Sequence, residues 1–301
     1  MKVLFVHARP LPSTRGGAEL TLSQLMAERP AGVEVFAVTP DADPGLDRFD
    51  AVVIAGLRPE GGLGEEAEYA FADLWATRLR GYSGRSVVSE HDVQPCAMRD
   101  ARCVRAEPLG YLGCRCGRAI PDAFRRLYRS CSVVRFLSPG QRRVIGSIIA
   151  LPRDTRVIAP PIDLERFRVM VPWADRPDRA LAFADPLRHN SPEAESIMRA
   201  NGLDMDVLAY GAVEYEAMPA LLNRYRHVVM APVAYHGFGR LAAEAMACGC
   251  KVLGNGRVGA LTWADPVEAA RQGSAAFWRM VLEPEPGGGG RLARWLARLR
   301  R

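Results

Sequence analysis

The sequence predicts an α/β fold of two parallel-sheet domains with a cleft between them, on three observations. Short apolar, β-branched runs alternate with helix-like stretches. The same alternation restarts after residue 160, and a Pro-Pro break stands between the two series. Strands and helices in this rhythm form parallel sheets covered on both faces. A chain of 301 residues has room for two domains of ordinary size.

The elements follow in order. KVLFV (2–6) is a first strand, the loop RPLPSTRGG leads into a helix over AELTLSQLMAE, and VEVFAVT (33–39) and AVVIAG (51–56) are further strands. FADLWATRL supplies a helix before the strands SVVSE (86–90) and SVVRFLS (132–138). In the second series RALAFA (179–184), DVLAYG (206–211), HVVMAP (227–232) and KVLGN (251–255) are strands. EAESIMRANG, MPALLNRYR and RLAAEAMACG are the helices between them. In VIAPPIDLERF (157–167), Pro160 and Pro161 break regular structure. The expected organisation is a first domain over 1–160, with a Cys- and Arg-rich insertion at 92–131, and a second domain over 161–286. A Gly linker and a basic amphipathic helix over 287–301 follow, with Leu292, Trp295, Leu296 and Leu299 on one face.

With 49% hydrophobic and 25% charged residues the chain reads as a soluble globular protein. No apolar run reaches the roughly 18–20 residues that span a bilayer, and Val3 to Val6 is too short for a secretory signal. Seven Cys, an odd number, argue for reduced thiols or a metal site rather than a disulfide framework. The expected location is the cytoplasm. The net charge of +6 is unevenly placed. Residues 99–143 hold 11 Arg against Asp100, Glu107 and Asp122, and the tail RLARWLARLRR adds five Arg and no acid. Such clustering suits a phosphate-rich partner; a set of solvated helix faces is the alternative.

The chemistry concentrates in YHGFGRLAAEAMACGC (235–250), which follows the strand HVVMAP at the carboxyl edge of the second sheet, where open α/β sheets bind ligands. Gly237 and Gly239 permit a tight turn and close backbone approach, and the free amides of the following helix start suit a diphosphate. Arg240 adds a guanidinium fork that matches phosphate oxygens. Glu244, at i+4 from Arg240, shares its helix face and can accept hydrogen bonds from sugar hydroxyls; a plain Arg–Glu helix pair is the bland alternative. The glycines before the pair favour a nucleotide-sugar site.

PVAYHGFGRLAAEAMACGCKVL (232–253) is similar to the donor-binding signature of the retaining glycosyltransferases of family 4, the group 1 glycosyltransferases, which have the GT-B fold of two Rossmann-like domains. Four further stretches match in the family's order: STRGGAE (13–19), VVSEHD (87–92), FLSPGQRRVI (136–145) and VIAPPIDLERF (157–167). The resemblance implies a transferase that uses a UDP- or GDP-sugar and no catalytic divalent metal. Gly16 and Gly17 would bring amides to the donor phosphate, and His91 would contact the sugar or reacting centre. The turn Gly237, Phe238, Gly239, Arg240 and Leu241 would hold the diphosphate, and Glu244 the ribose. The leaving diphosphate would help deprotonate the acceptor.

Two departures stand out. The first acid of the family's Glu-x7-Glu is His236 here, and a neutral imidazole offers one hydrogen bond where a carboxylate offers several. Of the family's Arg…Lys pair only Arg188 is present, with Asn190 where Lys is expected. The triplets DAD (41–43) and DMD (204–206) are expected in turns, where Asp is common, not at a metal. Cys96, Cys103, Cys114 and Cys116 have the spacing C-x6-C-x10-C-x-C, compatible with a structural zinc site or with free thiols; Cys248 and Cys250 are expected in the core. The Arg-rich insertion beside His91 points to a polyanionic acceptor, with a hydroxymethylated base in DNA, as in a phage-type DNA-modifying member, as the favoured candidate. Envelope polysaccharide or a lipid-linked glycan is the runner-up, which leaves peripheral membrane contact open. A sugar-nucleotide epimerase and a non-catalytic nucleotide-sugar sensor are the remaining alternatives.

Overall fold

The computed structural model describes residues 1–9, 11, 16–57, 65–91, 122–184, 191–209, 211–232 and 235–283. The first half contributes β1 (Lys2–His7), β2 (Glu34–Val38), β3 (Ala51–Gly56), β4 (Arg85–Ser89), β5 (Val133–Phe136) and β6 (Thr155–Val157). They form one parallel sheet in the order β2-β1-β3-β4-β5-β6. β1, β3 and β4 are almost wholly buried, as the unbroken β-branched runs require of strands with helices on both faces. α1 (Gly17–Ala27) covers one face through Leu22 and Leu25. α2 (Glu65–Leu79), α3 (Asp122–Ser130) and α4 (Pro139–Ile148) cover the other, where Trp75 is fully buried and its indole N–H donates to the carbonyl of Pro40 at 2.9 Å.

The second half contributes β7 (Arg179–Ala184), α5 (Ser191–Asn201), β8 (Asp204–Ala209), α6 (Met218–Leu222), β9 (His227–Met230), α7 (Arg240–Ala247) and β10 (Lys251–Gly254). Its parallel sheet runs β10-β9-β7-β8. The order reverses between β7 and β9, and such a switch point opens a crevice at the carboxyl ends of the strands. Asp204 and Asp206, expected in a turn, lie instead in β8, where Asp206 accepts from Arg179 at 2.5 Å and from the Tyr225 hydroxyl at 3.1 Å. β8 is an edge strand in which no residue is fully buried, so acids fit there. Cys248 and Cys250 are buried as expected. Burial pushes their thiols up to about 12 and about 11, and the Cys250 thiol donates to the Leu222 carbonyl at 3.2 Å.

The chain then returns to the first half. α8 (Pro266–Leu282) is capped by Asp265, whose carboxylate accepts from the amides of Val267 and Glu268 at 3.0 and 2.9 Å. Although it follows the second sheet in sequence, its Phe277, Trp278 and Val281 pack on Val3, Phe5 and Val87 of the first sheet. α8 shares this apolar face of β1, β3 and β4 with α1 and covers the part that α1 leaves bare. Arg135, buried in β5, ties the crossing together. It donates to Ser89 Oγ at 3.1 Å and to the carbonyls of Ile158 and Ala159 at 3.1 and 3.2 Å, and lies 5.0 Å from the Phe277 ring centroid. Burial lowers its pKa to about 9. The tail at 287–301 lies outside the described residues. Among the described residues no helix is long and apolar enough to cross a membrane.

Candidate functional site

After β9 the chain passes through the turn Tyr235–Gly239 and enters α7 at Arg240. Gly239 has φ of 78°, the left-handed region that side chains disfavour, and it sets the direction of the helix start. Gly237 is required for another reason. A methyl group there would lie 2.7 Å from the His91 carbonyl oxygen and 2.5 Å from Gln141 Nε2, both in the first half. The Ser138 hydroxyl, which caps α4, donates to the Gly237 carbonyl at 2.7 Å. The backbone of His236 forms a parallel bridge to Val258, its N–H donating to Arg257 O at 2.9 Å and its carbonyl accepting from Gly259 N at 3.0 Å.

Arg240 and Glu244 face each other across one helical turn, as their spacing requires. Both are buried, and Arg240 Nε donates to Glu244 Oε1 at 3.2 Å. The hydroxyl of Tyr215, from a single 3₁₀ turn after β8, donates to the same carboxylate oxygen at 2.8 Å and accepts from Arg240 Nη2 at 3.3 Å. Arg166 fixes that tyrosine, stacking 4.6 Å from its ring centroid and donating to its carbonyl at 2.6 Å. Burial, then the Glu244 charge, raises the pKa of the Tyr215 phenol, which keeps it a hydrogen-bond donor at neutral pH. Arg240 also reaches the first half, where Nη1 donates to Thr21 Oγ1 of α1 at 3.1 Å, and it donates to the Pro161 carbonyl of the segment between the two sheets at 2.6 Å. One guanidinium thus joins the two halves and carries one ion pair.

The facing wall comes from the carboxyl edge of the first sheet. Gly16 precedes α1 and Gly17 begins it; a methyl at Gly17 would contact Arg240 Cδ at 3.7 Å, and Thr21 Oγ1 donates back to Gly17 O at 2.7 Å. His91 follows β4, buried, with Nε2 3.5 Å from Ser89 Oγ. Burial, reinforced by the Arg135, His7 and Arg240 charges, pushes its pKa well below 6.5. His91 is therefore a neutral imidazole at neutral pH, able to give or take a hydrogen bond but unsuited to hold a proton.

Of the positions read from the sequence, Gly16, Gly17, His91, His236, Gly237, Gly239, Arg240 and Glu244 lie on the two facing edges. Phe238 is 2% exposed within the second core, and Leu241 packs against that core, so their side chains hold the turn in place. Arg188, Cys96, Cys103, Cys114 and Cys116 lie outside the described residues. Among the described residues no group of three or more His, Cys, Asp or Glu could hold a metal ion. Sequence reasoning missed Tyr215, whose bond to Glu244 spans 29 positions and leaves no local pattern.

No protein-family model matches the chain, and no curated protein sequence does. Solved structures do. HepE from Anabaena, in complex with UDP and glucose, matches over 100% of this chain and 99% of its own, at 13% identity and a TM-score of 0.52. The same protein in complex with UDP-glucose matches over 99% and 100%, at 15% identity and a TM-score of 0.50. Sucrose-phosphate synthase from Thermosynechococcus elongatus matches over 100% and 98%, at 12% identity and a TM-score of 0.54. At these identities the likeness establishes the fold, the GT-B arrangement of two Rossmann-like halves.

Proposed function

We propose that the protein is a retaining glycosyltransferase that moves a sugar from a nucleoside-diphosphate donor to an acceptor hydroxyl. The observation that carries this reading is the Arg240–Glu244–Tyr215 cluster at the start of α7, reaching across to Thr21 and Pro161. The fold it shares with HepE, whose structures hold UDP and UDP-glucose, supports the same reading.

In this account the diphosphate lies against the amides that open α7, with Arg240 as its fixed cation. Glu244, oriented by Tyr215, accepts the ribose hydroxyls. As the bond from the anomeric carbon to the diphosphate breaks, negative charge grows on the diphosphate, and Arg240 with the helix amides stabilises it without reorganisation. The acceptor hydroxyl attacks from the same face, and its proton passes to the departing diphosphate oxygen. His91, neutral, and His236 face the sugar as hydrogen-bond partners. Ten of the 11 Arg of residues 99–143, all but the buried Arg135, support a phosphate-bearing acceptor on the side of His91. DNA with hydroxymethylated bases is the first to try, and a lipid-linked glycan the second. Zinc bound by Cys96, Cys103, Cys114 and Cys116 rests on their spacing alone.

The test is a screen of UDP- and GDP-sugars for nucleotide release, with and without each acceptor. The expected result is release that rises with hydroxymethylated DNA and falls steeply as salt is raised. Stimulation by the lipid-linked glycan alone contradicts the DNA assignment. Tight donor binding with no release in any mixture contradicts transfer and favours a sensor, whereas conversion of the sugar with the nucleotide still attached favours an epimerase.

A further inference from the structure

Opposite the Arg240 cluster lies a second buried carboxylate that none of the roles above uses. Glu19 sits in the first turn of α1, two residues before Thr21, and is 5% exposed. Its Oε1 accepts from Arg9 Nη1 at 3.2 Å, and His7 Nε2 is 3.8 Å away. His7 Nδ1 lies 3.1 Å from the Arg9 amide nitrogen and 3.2 Å from the Arg9 carbonyl oxygen, which fixes the ring with Nε2 toward the carboxylate. Small residues make the space. A methyl at Gly56 would lie 2.8 Å from His7 Cδ2, and one at Gly16 would collide with Glu19 Oε2.

Glu19 is far more buried than its cation. Burying a carboxylate is costly unless its partner is buried with it, and the Arg9 side chain is 40% exposed. The position is informative. His7 ends β1 and His91 follows β4, at the same edge of the first sheet, and His7 is close enough to His91 to depress its proton affinity. Arg240 touches this wall at Thr21 and approaches it at Gly17. A buried carboxylate oxygen at such an edge is chemically suited to accept a hydrogen bond from a sugar hydroxyl.

We propose that Glu19, held by Arg9 and His7, binds a hydroxyl of the donor's sugar and so sets which nucleotide-sugar is accepted. The inference rests on the donor site proposed above. It adds a sugar contact from the first half to a nucleotide site on the second, so the two can be separated by titration. UDP and UDP-glucose are titrated into the wild type and Glu19→Gln, with GDP and GDP-glucose used instead if the wild type prefers them. The expected result is a roughly tenfold or greater loss of affinity for the sugar ester, the size usual for a hydrogen bond to a charged group, with affinity for the nucleotide alone within about twofold. Glu19→Asp, which keeps the charge but draws it back by one methylene, is expected to fall between.

Equal affinity of wild type and Glu19→Gln for the ester overturns the inference, and so does an equal loss for ester and nucleotide. A raised KM for the acceptor with unchanged ester affinity also overturns it, since it moves Glu19 to the acceptor. If Glu19→Gln does not fold, Glu19→Asp alone decides: no selective loss for the ester contradicts the assignment. A wild type that binds none of the four ligands contradicts the proposed function itself.

Discussion

Arg240→Ala is expected to lower kcat/KM by about 10²–10³-fold, more than any other single change in the cluster. The side chain is 8% exposed and donates to Glu244, Thr21, Pro161 and Tyr215, so its loss strips hydrogen bonds from both halves. Glu244 is then left as a buried charge without its cation, and breaking a buried pair in this way costs about 3–5 kcal/mol. Part of that appears as a lower melting temperature and part as weaker donor binding, and calorimetric titration with thermal unfolding separates the two. Arg240→Lys restores the charge but not the fork that holds three directions at once, so recovery of less than about tenfold is expected. A full recovery with Lys would show that Arg240 acts as a point charge only.

The second large effect is expected at Gly237, and it acts by geometry. A side chain there meets the His91 carbonyl oxygen at 2.7 Å and Gln141 Nε2 at 2.5 Å, closer than carbon tolerates. Gln141 cannot swing away cheaply, because its oxygen accepts from the Leu137 amide at 2.6 Å and its nitrogen donates to the Glu90 carbonyl at 3.3 Å. The donor turn must therefore back away from the His91 wall. Misplacement on the order of 1 Å costs about a hundredfold in rate. Gly237→Val is expected to lose about that much in kcat while still binding the free nucleotide, whose partners lie within the second half. Unchanged kcat would mean that the approach of the two edges has no part in catalysis.

The sequence and the structure agree best where the cause is local. The strands of both sheets follow from runs such as Val3 to Val6 and Val228 to Met230, whose β-branched and apolar residues can be buried on both faces. The Arg240–Glu244 pair follows from a spacing of four on one helix, and Gly239 from the backbone angle its turn demands. What escaped the sequence depends on contacts made at long range. The Arg240–Thr21 bond spans 219 positions, and Tyr215 reaches Glu244 from a different loop. Glu19 looks like an ordinary acid at a helix start until His7 and Arg9 are seen beside it. The return of α8 to the first sheet has the same character. No local pattern says which surface residues 266–282 cover, because that depends on how much of the β1 and β3 face α1 leaves bare. Asp206 was misplaced because an Asp-x-Asp triplet resembles a turn, whereas an edge strand with Arg179 and Tyr225 alongside holds it equally well.

The most direct test of the central claim is a structure determined with UDP bound. The expected result is the diphosphate against Arg240 and the amides that open α7, with the ribose hydroxyls on Glu244 and Tyr215 still bonded to that carboxylate. A nucleotide seated elsewhere contradicts it, for instance in the apolar pocket of about 180 Å³ beside α5 that is lined by Phe183, Met205 and Val207.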